Sequence, residues 1–72
     1  MEFKHKLKEL RQGQDLTLRK LGEKAGVSYS ILNGIENGRI QPSADVVMAL
    51  AAALKADNRE ELLALAGHGS ST

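Results

Sequence analysis

The tightest constraint on how this chain can fold lies between Leu16 and Gly38, where two helix starts and two helix stops follow one another closely. Thr17 is a natural N-cap, because its hydroxyl can accept one of the free N–H groups of a first helical turn. Beyond it Leu18, Leu21, Gly22 and Ala25 share one helical face, while Arg19, Lys20, Glu23 and Lys24 share the other. That helix is expected to run to about residue 24, and Gly26 then supplies the positive φ of a sharp turn. Ser28 caps the next helix, in which Leu32 and Ile35 point inward, Leu32 toward Leu21 and Ala25, and Ile31 sits at the edge of the apolar arc. Asn37-Gly38 ends it.

The outward face of this second helix gathers Tyr29, Ser30, Asn33 and Asn37, polar groups without formal charge. A helix that only meets water more often places Lys or Glu there, so the pattern fits a reading surface. Two short helices about a tight turn form a helix-turn-helix, the layout that sets its second helix in the DNA major groove.

The flanking segments are also helical. Phe3, Leu7 and Leu10 recur at helical spacing, with Lys4, Lys6, Lys8, Glu9 and Arg11 on the other faces, which predicts a helix over about 2–12 with Gly13 as its stop. Arg39-Ile40-Gln41-Pro42 reads as an extended connection, since a residue before proline avoids the α region. Ser43 caps a helix over about 44–55, with Val46, Val47, Leu50, Ala53 and Leu54 on one face and Met48, Ala49 and Ala52 on its back. Asp57 and Glu60 resemble a capping box for a fifth helix over about 58–66. The domain is therefore expected over 1–66, with the helix-turn-helix at 18–37 and a fraying tail at 67–72.

Composition narrows the alternatives. Seventy-two residues allow one domain. With no Cys, neither a disulfide nor a thiolate metal site is available, and one Pro, one Tyr, one Phe and no Trp favour Leu/Ala-rich helices over a sheet. No apolar run approaches the roughly 18 residues of a membrane span, and the N-terminal residues lack the apolar core of a signal peptide, which sets the expectation of a cytoplasmic protein. His5 and His68 are isolated, and there is no Ser/His/Asp set, carboxylate pair, phosphate-binding loop or dinucleotide fingerprint. Neither enzymatic activity nor a cofactor or metal is expected. The net charge of +1 hides a polarity: residues 1–24 carry seven Lys/Arg against four Asp/Glu, and residues 41–72 two against four.

On these grounds the chain resembles the Cro/cI-like (XRE-type) helix-turn-helix transcriptional regulators, with their lambda-repressor-like DNA-binding domain. The resemblance covers about residues 5–65 and rests on Leu7-Lys8-Glu9-Leu10-Arg11, Leu16-Thr17, Gly26-Val27-Ser28, Ile35-Glu36-Asn37-Gly38 and Gln41-Pro42-Ser43, in order and at the family's spacing. It implies an all-α domain of five short helices that binds double-stranded DNA, acting as a repressor on a palindromic operator as a homodimer. Ser28, Tyr29, Ser30 and Asn33 fall at positions that face DNA in family members, and Arg39 and Gln41 where the family often touches the backbone. Three positions depart from the family's habit. Leu18 replaces a frequent Gln, Gly34 a long polar side chain that often reads a base, and Gly22 the usual Ala between the two helices.

Side-chain chemistry suggests the individual roles. Tyr29 suits a thymine methyl or a sugar, and Asn33 can give bidentate contacts to adenine. Ser28 is first a cap, while Arg19, Lys20 and Arg39 suit phosphates. Glu36 reads as structural. In the fifth helix Leu62, Leu63 and Leu65 cannot all face one core, so Leu63 and Leu65 are the expected dimer contacts, with the back of the fourth helix (Met48, Ala49, Ala52) as the competing patch. Two alternatives stand beside this reading: a protein-interaction module on the same fold, or the antitoxin of a toxin–antitoxin pair, with a toxin as protein partner.

Overall fold

A computed structural model of the chain describes residues 2–57 and 59–68. Among these residues it holds no strand and five helices: α1 (Phe3–Gly13), α2 (Leu18–Ala25), α3 (Tyr29–Glu36), α4 (Ala44–Ala53) and α5 (Arg59–Leu65). The fold is all-α, as the sequence implies. Asn58, the expected first residue of the fifth helix, and residues 69–72 of the expected tail lie outside the described residues.

Three helices start where their hydroxyl caps predict. Thr17, Ser28 and Ser43 are extended, and their side-chain oxygens accept the N–H groups of Lys20 (3.0 Å), Ile31 (3.2 Å) and Val46 (3.2 Å). Each such cap contributes about 1 kcal/mol.

The helix ends follow a different rule. Four helices close with paired hydrogen bonds around one left-handed residue, which satisfies two otherwise free carbonyls. The left-handed residues are Asp15, Gly38, Lys55 and Gly67. After α1, the Asp15 N–H donates to Gln12 O (3.0 Å) and the Leu16 N–H to Arg11 O (3.1 Å). After α4, Lys55 donates to Ala52 O (3.1 Å) and Ala56 to Ala51 O (2.9 Å). These ends correct two boundaries. Gly13 lies within α1 rather than stopping it, and α4 ends at Ala53 because Lys55 has turned left-handed. Gly67 and His68, expected to fray, are held instead. Their N–H groups donate to Ala64 O (3.0 Å) and Leu63 O (2.7 Å), and His68 Nε2 lies 2.7 Å from Pro42 O.

The core is built from one face of every helix. Phe3 and Leu7, Leu21, Leu32 and Ile35, then Val47, Leu50 and Leu54, and finally Leu62 are all buried. Helix α4 packs on α2 and α5, and α3 is held between α1 and α2. Leu21 and Leu32 are both completely buried, so the inward face of α3 seats directly on this core. The amide of Gln14 reaches across to Leu54 O (2.6 Å), tying the turn after α1 to the end of α4. No helix among the described residues is long and apolar enough to cross a membrane.

Candidate nucleic-acid interface

The α2–turn–α3 unit owes its tightness to Gly22. Its carbonyl accepts the N–H groups of both Gly26 and Val27. A Cβ on Gly22 would stand 2.5 Å from Val27 O, a backbone atom that cannot swing aside. An alanine here would require the backbone of this turn to shift.

The far end of α3 is shaped by Gly34. Rather than an outward reading position left empty, Gly34 is buried beneath the side chain of Ile40, whose Cγ1 would lie 2.7 Å from a Cβ there. The Gly34 carbonyl accepts the N–H groups of Arg39 (2.8 Å) and Ile40 (3.1 Å), while Gly38 donates to Ile35 O (3.1 Å). The connection after α3 therefore folds back onto the helix and carries Arg39 with it.

Between these two ends α3 exposes Tyr29, Ser30 and Ile31, with Asn33 half-buried beside them. Ile31, expected at the edge of the core, is 40 % exposed. Ser28 is exposed and its hydroxyl serves the cap. The Arg19 guanidinium lies 5.5 Å from the centroid of the Tyr29 ring, within cation–π range, so the first turn of α2 steadies the first residue of α3. Lys20 reaches Glu23 only at 4.0 Å with both side chains in solvent, a contact too weak to hold the ammonium. Asn37 donates its amide to both Asn33 O (2.8 Å) and Asn33 Oδ1 (3.1 Å). Arg19, Lys20, Ser28, Tyr29, Ser30 and Asn33 thus lie together on the α2–α3 unit, and Arg39 is exposed just after it. Gln41 stands apart, since its amide donates to Ala66 O at the end of α5.

Leu63 and Leu65 are both half-buried but do not share a surface. Leu63 lines a shallow depression with Met48, Asp57, Arg59 and Glu60, whereas Leu65 lines another with Phe3, Lys4, Ile40 and Pro42. Met48, on the competing patch, therefore belongs to the same surface as Leu63.

Two features escape a reading of residue types. Arg11, set among the polar faces of the first helix, is nearly buried and grips Glu36 of α3 with two nitrogens. The structural role expected of Glu36 thereby gains its partner. Lys4 brings its ammonium beside Gly38, where a Cβ would stand 3.0 Å from Nζ. A cation there complements the C-terminal end of α3. Spacing hinted at the first of these, since Arg11 follows Leu7 by four residues and so lies beside the apolar stripe.

Comparison with known proteins agrees with this geometry. A family model described as "Helix-turn-helix" matches residues 7–57. The chain is 40% identical over 67 residues to an uncharacterized HTH-type transcriptional regulator, RghRB, of Bacillus subtilis (strain 168). The alignment covers 92% of this chain and 48% of that protein, so the chain spans about half the length of this curated relative. No solved structure gives a significant match. With five helices arranged about a capped α2–turn–α3 unit and a family match over most of its length, the chain belongs to the XRE-type helix-turn-helix family of DNA-binding transcription regulators.

Proposed function

We propose that this chain binds specific duplex DNA as a two-fold homodimer and represses transcription by occupying a palindromic operator. The observation that carries the reading is the exposed face of α3, where uncharged hydrogen-bonding groups stand with Arg19 over the Tyr29 ring and an exposed Arg39 in the segment bonded back to Gly34. Base edges are read by hydrogen bonds and apolar contact, while phosphates are held by Lys and Arg. Asn33 suits adenine, and Tyr29 suits a thymine methyl. Ser28 and Ser30 approach the groove wall, and Arg19, Lys20 and Arg39 meet phosphates. Gln41 braces the loop from below, so the backbone contact in this segment falls to Arg39. The second copy docks through Leu63 with Met48, an apolar pair on one surface of α4 and α5.

The test is selection of bound sequences from a random duplex pool at physiological salt. An enriched palindrome is expected, with half-sites about 34 Å apart. Inserting five base pairs between the half-sites should abolish tight binding by turning one to the far side of the duplex. Salt-sensitive retention without enrichment would remove sequence-specific reading from the proposal.

A further inference from the structure

We infer that Asn37 is a specificity-determining positioning residue: it fixes which way the Asn33 carboxamide faces, and through it which base α3 accepts. The inference rests on the base-reading role proposed for α3. Asn37 is the C-cap of α3, four residues after Asn33 and on the same exposed side.

Hydrogen-bond polarity alone fixes the arrangement of the two amides. The main-chain carbonyl of Asn33 can only accept, so the Asn37 group 2.8 Å from it is the NH2. That same NH2 lies 3.1 Å from the Asn33 side chain, which must therefore present its oxygen to Asn37. Asn33 Nδ2 then faces away with both protons available, and Oδ1 keeps one lone pair. A bidentate partner can then use that oxygen beside the neighbouring Nδ2 proton, an acceptor next to a donor in fixed order. That is the complement of the adenine major-groove edge, where N6 donates and N7 accepts. Without Asn37, the Asn33 amide can turn over and offer the reverse order, which serves adenine less well. Asn37 needs no contact with DNA to exert this effect. Pre-orientation also removes the rotational freedom that Asn33 would otherwise lose on binding.

The test uses the site enriched by the wild-type chain and its single-base variants, with discrimination read as a ratio of affinities so that uniform losses cancel. Asn37→Ala should lower discrimination by at least about fivefold at one base pair per half-site, the low end of what a bidentate pair supplies. It should be the same base pair that Asn33→Ala affects. Asn37→Asp, equal in shape but without a donor, should do the same. In an Asn33→Ala background, neither substitution should change discrimination further. Both variants should melt within a few degrees of the parent, because Asn37 is exposed. Unchanged discrimination in Asn37→Ala overturns the inference while leaving the DNA-reading proposal standing. So does an equal change with Ala at 33, which would make Asn37 a direct contact. If the wild-type chain enriches no sequence, the base-reading role itself fails and the inference with it.

Discussion

Arg11 Nε stands 2.7 Å from Glu36 Oε2 and Arg11 Nη2 stands 3.1 Å from Glu36 Oε1, joining two residues 25 positions apart in a fork-to-fork ion pair. The third guanidinium nitrogen, Nη1, donates to Leu16 O (2.7 Å), while the Arg11 carbonyl accepts the Leu16 N–H. One side chain thus fastens the end of α1, the entry to α2 and the last turn of α3. Both partners are largely withdrawn from water, with 12 % and 7 % of their side-chain surfaces exposed. The pair's value lies in geometry, since desolvation offsets much of its attraction.

Removing one partner should therefore be costly and removing both much less so. Glu36→Ala is expected to lower stability by about 3 kcal/mol, because it strands a largely desolvated guanidinium. Arg11→Met with Glu36→Leu should lose clearly less than the two single changes summed. Urea melts of Arg11→Met, Glu36→Leu and the double variant, beside Glu36→Ala, decide it, and additive losses would mean the pair is uncoupled.

Gly22→Ala and Gly34→Ala should differ, although both add one methyl to a helix and gain about 1 kcal/mol in helix propensity. At Gly22 the methyl meets the backbone carbonyl of Val27, so a net loss of about 1–3 kcal/mol is expected. At Gly34 the nearest atoms it meets belong to the Ile40 side chain, itself 40 % exposed and able to move. There the net change should be small, and in an Ile40→Ala background Gly34→Ala should stabilise by about 1 kcal/mol. Thermal melts of all four variants would show whether the ordering is reversed.

Lys55 closes α4 in the left-handed region, at φ 53°, without glycine's freedom. That conformation costs an ordinary residue about 1–2 kcal/mol. Part of the gain from Lys55→Gly is offset by the larger entropy of the unfolded chain, about 0.4–1 kcal/mol. A rise in stability of up to about 1 kcal/mol is expected. A lower melting temperature would place the strain elsewhere.

If Lys20 and Arg39 hold phosphates, replacing either with Ala should weaken binding to every duplex alike. The slope of log affinity against log salt should flatten by about 0.9 for each phosphate no longer neutralised. Titrations at several salt concentrations measure this directly. An unaltered slope would show that the cation is only solvated. Tyr29→Ala should instead change preference among sites, because its exposed ring offers apolar contact rather than charge.

Leu63→Glu should leave the monomer folded, since Leu63 is half-buried beside a shallow, open depression. Affinity for a palindromic site should fall far more than affinity for a half-site. Equal loss on both would give Leu63 a core role, and no loss would move the interface away from this surface. Met48→Glu provides the matched test, because the two side chains line the same depression.

Much of the helical order was legible because its causes are local. A hydroxyl at Thr17, Ser28 or Ser43 needs only a backbone N–H three residues ahead, and that spacing is written in the chain. The outward grouping of Tyr29, Ser30, Asn33 and Asn37 follows equally from helical geometry. The stops at Asp15 and Lys55 were not legible, because Lys does not favour a left-handed turn and Asp, which enters it more readily, does not require one; buried contacts on either side impose it. Gly22 and Gly34 are visible as letters, but Val27 O and the Ile40 side chain, which crowd them, come close only once the chain folds back. Arg11 reads as a surface cation until α3 brings Glu36 beside it. Met48 and Leu63 read as rival patches until α4 and α5 pack together and place them on one surface. Interactions spanning a single helical turn were decided by the sequence; those between distant segments depended on packing, because only the assembled core sets their distances.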